Sequence, residues 1–188
     1  MDWYRSGRRS FGLPRLELSE RSPRMKVLGI DPGKTGGLAL ADGGKMVKME
    51  VMPEDSFFLI NLLVDWSPDI VYLEKAQAMP GNGGVSMFTY AQGYGEIIGI
   101  LKSLKIPYVL VRPTAWTKIL HKGQSGKDAK VKSRSAALSL FPYMNFLATA
   151  RSRKPHEGLV DAALIAEYGS REEYNKGRML LTRKETAC

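Results

Sequence analysis

The chain has 188 residues, 44% of them hydrophobic, with 28 Lys and Arg against 19 Asp and Glu for a net charge of +9. That length suits one domain with a core of its own, and no stretch approaches the roughly 18–20 unbroken apolar residues that a membrane-spanning helix needs. The excess of positive charge favours a polyanionic partner or an acidic surface, and the single cysteine, Cys188, excludes an intrachain disulfide and fits a reducing compartment.

Residues 1–24 (MDWYRSGRRSFGLPRLELSERSPR) are arginine-rich, aperiodic and broken by Gly and Pro, the composition of a disordered basic arm. They hold no apolar core of a secretory signal, and Asp2, Glu17 and Glu20 count against an organellar transit peptide. Met25 opens the folded part. MKVLGI (25–30) predicts a strand, followed by strands over GLALAD (37–42) and KMVKMEV (45–51), with Asp42-Gly43-Gly44 between them as a hairpin signal. FFLINLLVDW (57–66) repeats apolar residues at helical spacing and stops before Ser67-Pro68. DIVYLE (69–74) is a fourth strand, and AMPGNGG (78–84) a loop leading to a helix over about 86–105. YVLVR (108–112) is the fifth strand, and helices are expected over 114–120, 129–141 and 157–168, the last capped by Gly169. The folded domain is thus expected over 25–169, with a charged, weakly patterned tail over 170–188. Three meandering strands, then strand–helix alternation, then helices predict an α/β layer fold with a mixed sheet.

Two strands end on acids: Asp31 follows the first, in VLGIDPG, and Glu74 closes the fourth. If those strands are neighbours, the carboxylates sit at related points of the sheet. On the last helix Glu157 and Asp161 are four apart and share a face, where like charges repel. The flanking Leu159, Val160, Ala162, Ala163, Ile165 and Ala166 mark that helix as packed, so the repulsion asks for a cation. Converging carboxylates are the hard oxygen donors that Mg²⁺ takes, and a two-metal site suits phosphodiester cleavage. His156 could bind a metal or move a proton near neutral pH. Taken singly, each residue has a plainer role: Asp31 in an Asp-Pro-Gly turn, Glu74 as a strand-end acid, Glu157 as a first-turn helix acid, His156 as a cap. Together, in this order, they are poorly explained as coincidence.

GIDPG (29–33), VYLE (71–74) and HEGLVDAALIAEYG (156–169) resemble the three active-site motifs of RuvC-like Holliday junction resolvases, nearest to the phage and chloroplast branch. RPTAWTKIL (112–120), GKDAK (126–130) and LFP (140–142) match the family's habits in order and spacing, so the resemblance spans about 25–169. It implies an RNase H-like fold: a five-stranded mixed sheet, three strands antiparallel and two parallel, flanked by helices. It also implies a homodimer without membrane attachment, two Mg²⁺ per site with Mn²⁺ as a substitute, and symmetric nicking of four-way DNA junctions. A helicase partner stays open, and the expected setting is cytoplasmic or nucleoid-associated, phage or bacterial, with an organelle as the alternative. Carried over residue by residue, Asp31 would bridge the metals, with Glu74 and Asp161 as ligands. Some members place a fourth acid or histidine three residues before the last Asp, where this chain has Gly158. Glu157, with His156 beside it, takes that place, and which of the two does the fourth job is open.

Between Arg112 and Arg134 the chain carries Arg112, Lys118, Lys122, Lys127, Lys130, Lys132 and Arg134 against one acid, Asp128. This is either a solvated face or a phosphate-contacting surface on a loop made adaptable by Gly123 and Gly126. Arg151, Arg153 and Lys154 precede the last acids and suit the scissile strand. Gly93, Gly95 and Gly99 weaken the helix that holds them, which suggests close approach by another backbone. Met79, Phe88 and Tyr90 are candidates for propping open a junction centre, with core packing as the alternative. Trp116 is expected in the core.

Rival readings fall short. Gly29 and Gly33-Lys34 are separated by three residues, one fewer than a P-loop needs. An actin-like kinase needs two such domains. An RNase H-like or transposase-like nuclease on another nucleic acid, or a non-catalytic binding module, remains as the alternative.

Overall fold

The computed structural model describes residues 24–77 and 84–185. Most of the expected basic arm and loop 78–83, with Met79, therefore lie outside the described residues. The elements are β1 (Lys26–Asp31), β2 (Gly37–Asp42), β3 (Lys45–Val51), α1 (Ser56–Trp66), β4 (Ile70–Glu74), α2 (Gly84–Ser103), β5 (Tyr108–Val111), α3 (Pro113–Leu120), α4 (Ala129–Leu140) and α5 (Glu157–Glu185). They form one five-stranded sheet in the order β3-β2-β1-β4-β5. β1, β2 and β3 run antiparallel, and β4 and β5 join parallel to β1 and to each other. The β2–β3 hairpin closes on Gly43 and Gly44, both at positive φ (59° and 79°), the primed turn whose twist suits a two-residue loop.

Side-chain alternation along each strand sorts the core into two layers. Leu28, Ile30, Leu38, Leu40, Val71 and Leu73 face α1 and α2. Val27, Ala39, Ala41 and Tyr72 face the other way, toward α3, α4 and α5. The parity has a consequence for the acids. Asp31 is two steps of two from Val27, and Glu74 one step from Tyr72, so both belong to the face that α5 covers.

Gly169 does not cap α5, which continues to Glu185. A local cap signal is overridden here by a distant contact. A Cβ at Gly169 would fall 2.6 Å from the Tyr72 ring, so only glycine lets the helix lie against it. Beyond that point the Tyr72 hydroxyl donates to Glu173 Oε1 at 2.6 Å, and Lys176 Nζ reaches the same carboxylate at 2.7 Å. These anchors outweigh the roughly 1 kcal/mol that a mid-helix glycine costs.

Candidate active site

α5 sits unusually close to the strands it crosses. A Cβ at Gly29 would fall 2.2 Å from the Ala162 carbonyl oxygen, and one at Gly158 would fall 2.3 Å from the Gly36 carbonyl carbon. Backbone meets backbone at both points, and Asp161 rides between them to the strand ends that carry Asp31 and Glu74. β1 and β4 pair Ile30 with Leu73, so the two strand-end acids project side by side. The contact at Gly158 also explains the departure from the pattern of three: no side chain fits at that position.

Three of the expected residues therefore converge, and their ionisation shows it. Burial, with Glu74 and Asp161 alongside, pushes the Asp31 carboxyl up to about 8. Burial also raises Glu74; the Trp116 indole opposes this by donating from Nε1 to Oε1 at 2.8 Å, while Asp161 adds to it. Asp161 is pushed up to about 6, again chiefly by burial. The Ser133 hydroxyl and Lys130 hold that rise back and Glu157 adds to it. Oδ1 of Asp161 is buried with no hydrogen-bond partner.

A group of half-buried acids, each raised by desolvation and Asp31 also by the other two, with an unpartnered carboxylate oxygen among them, suits a hard divalent cation. Among the described residues no three acids or histidines are drawn together into a ready-made metal cage. The donor chemistry, hard carboxylate oxygens with one unpartnered, fits the ion.

The fourth position divides its work. His156 stands just ahead of α5; its Nδ1 accepts from the Leu159 amide at 3.4 Å and its carbonyl accepts from Val160 N at 3.1 Å, so it serves as a cap. Glu157 is exposed and held by Lys130 Nζ at 2.7 Å. A residue expected on metal and one expected on DNA are thus each other's partners. Lys130 and Arg134 line a small hollow with Ser133, Glu157, Val160 and Asp161, which brings two of the predicted cations to the mouth of the acid group. Arg112, Lys118, Lys122, Lys127, Arg151, Arg153 and Lys154 lie exposed on the α3–α4 and α4–α5 side, with Lys132 half-buried.

Comparison with family models gives no match, and comparison with curated protein sequences gives none. Solved structures do match. RuvC from Thermus thermophilus superposes with a TM-score of 0.56 at 20% identity, over 79% of this chain and 97% of that one. The same protein in complex with Holliday junction substrate gives 0.55 at 16%, over 81% and 96%. The yeast mitochondrial Holliday junction resolvase gives 0.55 at 18%, over 79% of each chain. The chain has the RuvC-like, RNase H-like fold.

Within this RuvC-like frame several residues meet the acids in ways the sequence did not show. Trp116 is in the core as expected, 3% exposed, yet its indole N–H is spent on Glu74. Ser133, buried in α4, faces Asp161. Tyr90 touches the site as well: a Cβ on Gly33 would meet its ring at 3.3 Å, and burial with Asp31 and Glu74 nearby pushes its hydroxyl up to about 12. Phe88, two residues earlier on α2, is 72% exposed. The close backbone approach expected at Gly93, Gly95 and Gly99 is not made by this chain, since nothing described lies within 4 Å of a Cβ at any of them. No single-sequence signal marks Trp116 or Ser133; only the packing of α3 and α4 brings them to the acids.

Proposed function

We propose that the protein is a divalent-metal-dependent endonuclease that resolves four-way DNA junctions as a homodimer by paired nicks. The observation that carries this reading is the convergence of Asp31, Glu74 and Asp161 at one end of a RuvC-like sheet, half-buried and each raised in pKa. The solved structures of this fold include RuvC with a Holliday junction, which supports the choice of substrate.

Two Mg²⁺ ions, when bound, supply water activation and stabilisation of the leaving oxygen. Asp31, Glu74 and Asp161 would hold them, Asp31 being the acid that both of the others raise. Trp116 fixes one oxygen of Glu74, so that carboxylate meets a cation in one orientation. Lys130 and Arg134 stand where the scissile phosphate would enter, and the remaining cations from Arg112 to Lys154 track the backbone of the arms. The exposed pairing of Lys130 with Glu157 is weak in water, so a phosphate could take the ammonium and leave the Glu157 carboxylate free to serve as a further donor.

The test is cleavage of a labelled immobile four-way junction, beside a linear duplex and an RNA–DNA hybrid, with Mg²⁺ and with EDTA. Symmetric paired nicks confined to the junction and dependent on Mg²⁺ are expected. Cleavage of the hybrid alone would move the activity to another substrate, and junction binding without any cleavage would sink the nuclease reading.

A further inference from the structure

Mid-helix serines and threonines usually turn their hydroxyl back to a carbonyl of the preceding turn. In this chain Thr89, Ser103, Thr117 and Ser170 do so, at 2.8–3.1 Å. Ser133 does not. It is 5% exposed and its Oγ lies 3.0 Å from Nε2 of His121, while the same hydroxyl faces the Asp161 carboxylate. A hydroxyl so placed, between an imidazole and a carboxylate, has one hydrogen to give and must choose.

The imidazole settles the choice. His121 ends α3 with its amide on the Thr117 carbonyl (2.9 Å) and its own carbonyl taken by Gln124 N (3.0 Å), so its backbone is fixed on both sides. Its ring packs edge-on to Trp116, centroids 5.7 Å apart at 87°. Burial and Lys132 lower its pKa, which favours the neutral ring with its single N–H. With that hydrogen on Nε2, the imidazole donates to Ser133, and the serine hydrogen is free for Asp161. With it on Nδ1, the serine would donate to the ring and show Asp161 only a lone pair, adding repulsion to a carboxylate whose Oδ1 already lacks a partner.

We infer that His121 is a positioning residue: it donates from Nε2 to Ser133 and so aims the serine hydroxyl at Asp161, holding that carboxylate in the orientation its ligand role requires. Since Trp116 holds Glu74, the short segment from Trp116 to His121 then orients two of the three acids, one directly and one through α4. Neither residue touches the reacting atoms. This inference rests on the metal-dependent reading above and deepens it.

The experiment uses the full chain and Mn²⁺ as the probe, titrated calorimetrically without DNA, together with junction affinity and thermal unfolding in EDTA. His121→Leu and Ser133→Ala are each expected to weaken Mn²⁺ binding about tenfold. Junction affinity and Tm in EDTA should stay as in the wild type. His121→Gln, which keeps an N–H donor, should recover most of the loss. The double variant, His121→Leu with Ser133→Ala, should bind Mn²⁺ no worse than either single one, because the two residues act in series. Wild-type affinity in His121→Leu, a His121→Gln no better than His121→Leu, or losses that multiply would each overturn the relay while leaving the metal site standing. If His121→Leu fails to fold, His121→Gln carries the test, since it must have no effect once Ser133→Ala is in place. A wild-type protein that binds no Mn²⁺ is a different failure: it removes the metal-dependent reading itself, and the relay with it.

Discussion

α5 and α2 cover opposite faces of the same sheet, and they are built to different tolerances. From Leu159 to Ala166 every residue of α5 except Asp161 is buried, and its backbone lies on that of β1 and β2 through Gly29 and Gly158. α2 buries only Ile97, Ile100 and Leu101, leaves Val85 and Phe88 largely exposed, and carries three glycines with open space around them. The difference shows where positional accuracy is spent. Ligand oxygens for a cation must be held to about half an ångström, and contact between backbones, with no flexible side chain between, supplies that. α2 has no such duty along most of its length. Its one link to the site is Tyr90, which reaches past Gly33 to the acids from the loosely packed end.

The sharpest way to test the α5 side is to remove its charge without its shape. Asp31→Asn keeps the volume and loses the ligand, so junction cleavage should fall by on the order of 10³-fold or more. Binding to the junction in EDTA should persist. A gel-shift assay beside the cleavage assay separates these, and loss of binding would make Asp31 structural. Next in size is Gly29→Ala. Its new methyl group would meet the Ala162 carbonyl and the Ala166 amide at 2.2 and 2.4 Å, both backbone atoms with nowhere to go. Denaturant unfolding should show a loss of about 3 kcal/mol. Full stability in that variant would mean that α5 can lift from the sheet, and the argument from close contact would fail with it.

The clustered acids also tax the fold as pH rises. Unfolded, Asp31 ionises near its ordinary 3.8; folded, it keeps its proton up to about 8. The folded state therefore binds the extra proton between those values, so the stability it contributes is complete below about pH 4 and lost as pH climbs toward 8. Asp161, pushed up to about 6, loses in the same direction at lower pH. Thermal unfolding in EDTA from about pH 5 to about pH 9 should show the wild type weakening by on the order of 4 kcal/mol, with Asp31→Asn flatter and the more stable of the two at the alkaline end. Mg²⁺ should restore the wild type there and leave the variant almost unmoved. Parallel curves in EDTA would mean that the three acids do not share one buried space.

How much of this was legible in the residues depends on the distance over which each contact acts. Asp31 and Glu74 could be read because strand ends and alternation are local, and Asp161 because helical spacing marks the packed face. The neighbours could not. Trp116 meets Glu74 across 42 residues, and Lys130 meets Glu157 across 27. Each was read for its own segment: Trp116 as core, Lys130 as a DNA contact, Glu157 as a ligand. Gly169 failed for the same reason, since the contact that carries α5 past it joins Tyr72 to Glu173, 101 residues away. A cap signal acts within a turn and knows nothing of that anchor.

The smallest effect tests the looser helix. Gly95 lies inside α2 with nothing described within 4 Å of a Cβ. Gly95→Ala adds a methyl group to open space and removes backbone freedom from the unfolded chain, so it should stabilise the isolated protein by about 0.4–1 kcal/mol. Gly29→Ala and Gly95→Ala are the same chemical change on two helices' contacts, and opposite signs are expected from thermal unfolding. Among the described residues, then, nothing requires Gly93, Gly95 or Gly99 to be glycine. If Gly95→Ala lowers stability instead, and does so only at concentrations where the protein self-associates, another backbone occupies that space and α2 is as closely fitted as α5, by a second copy.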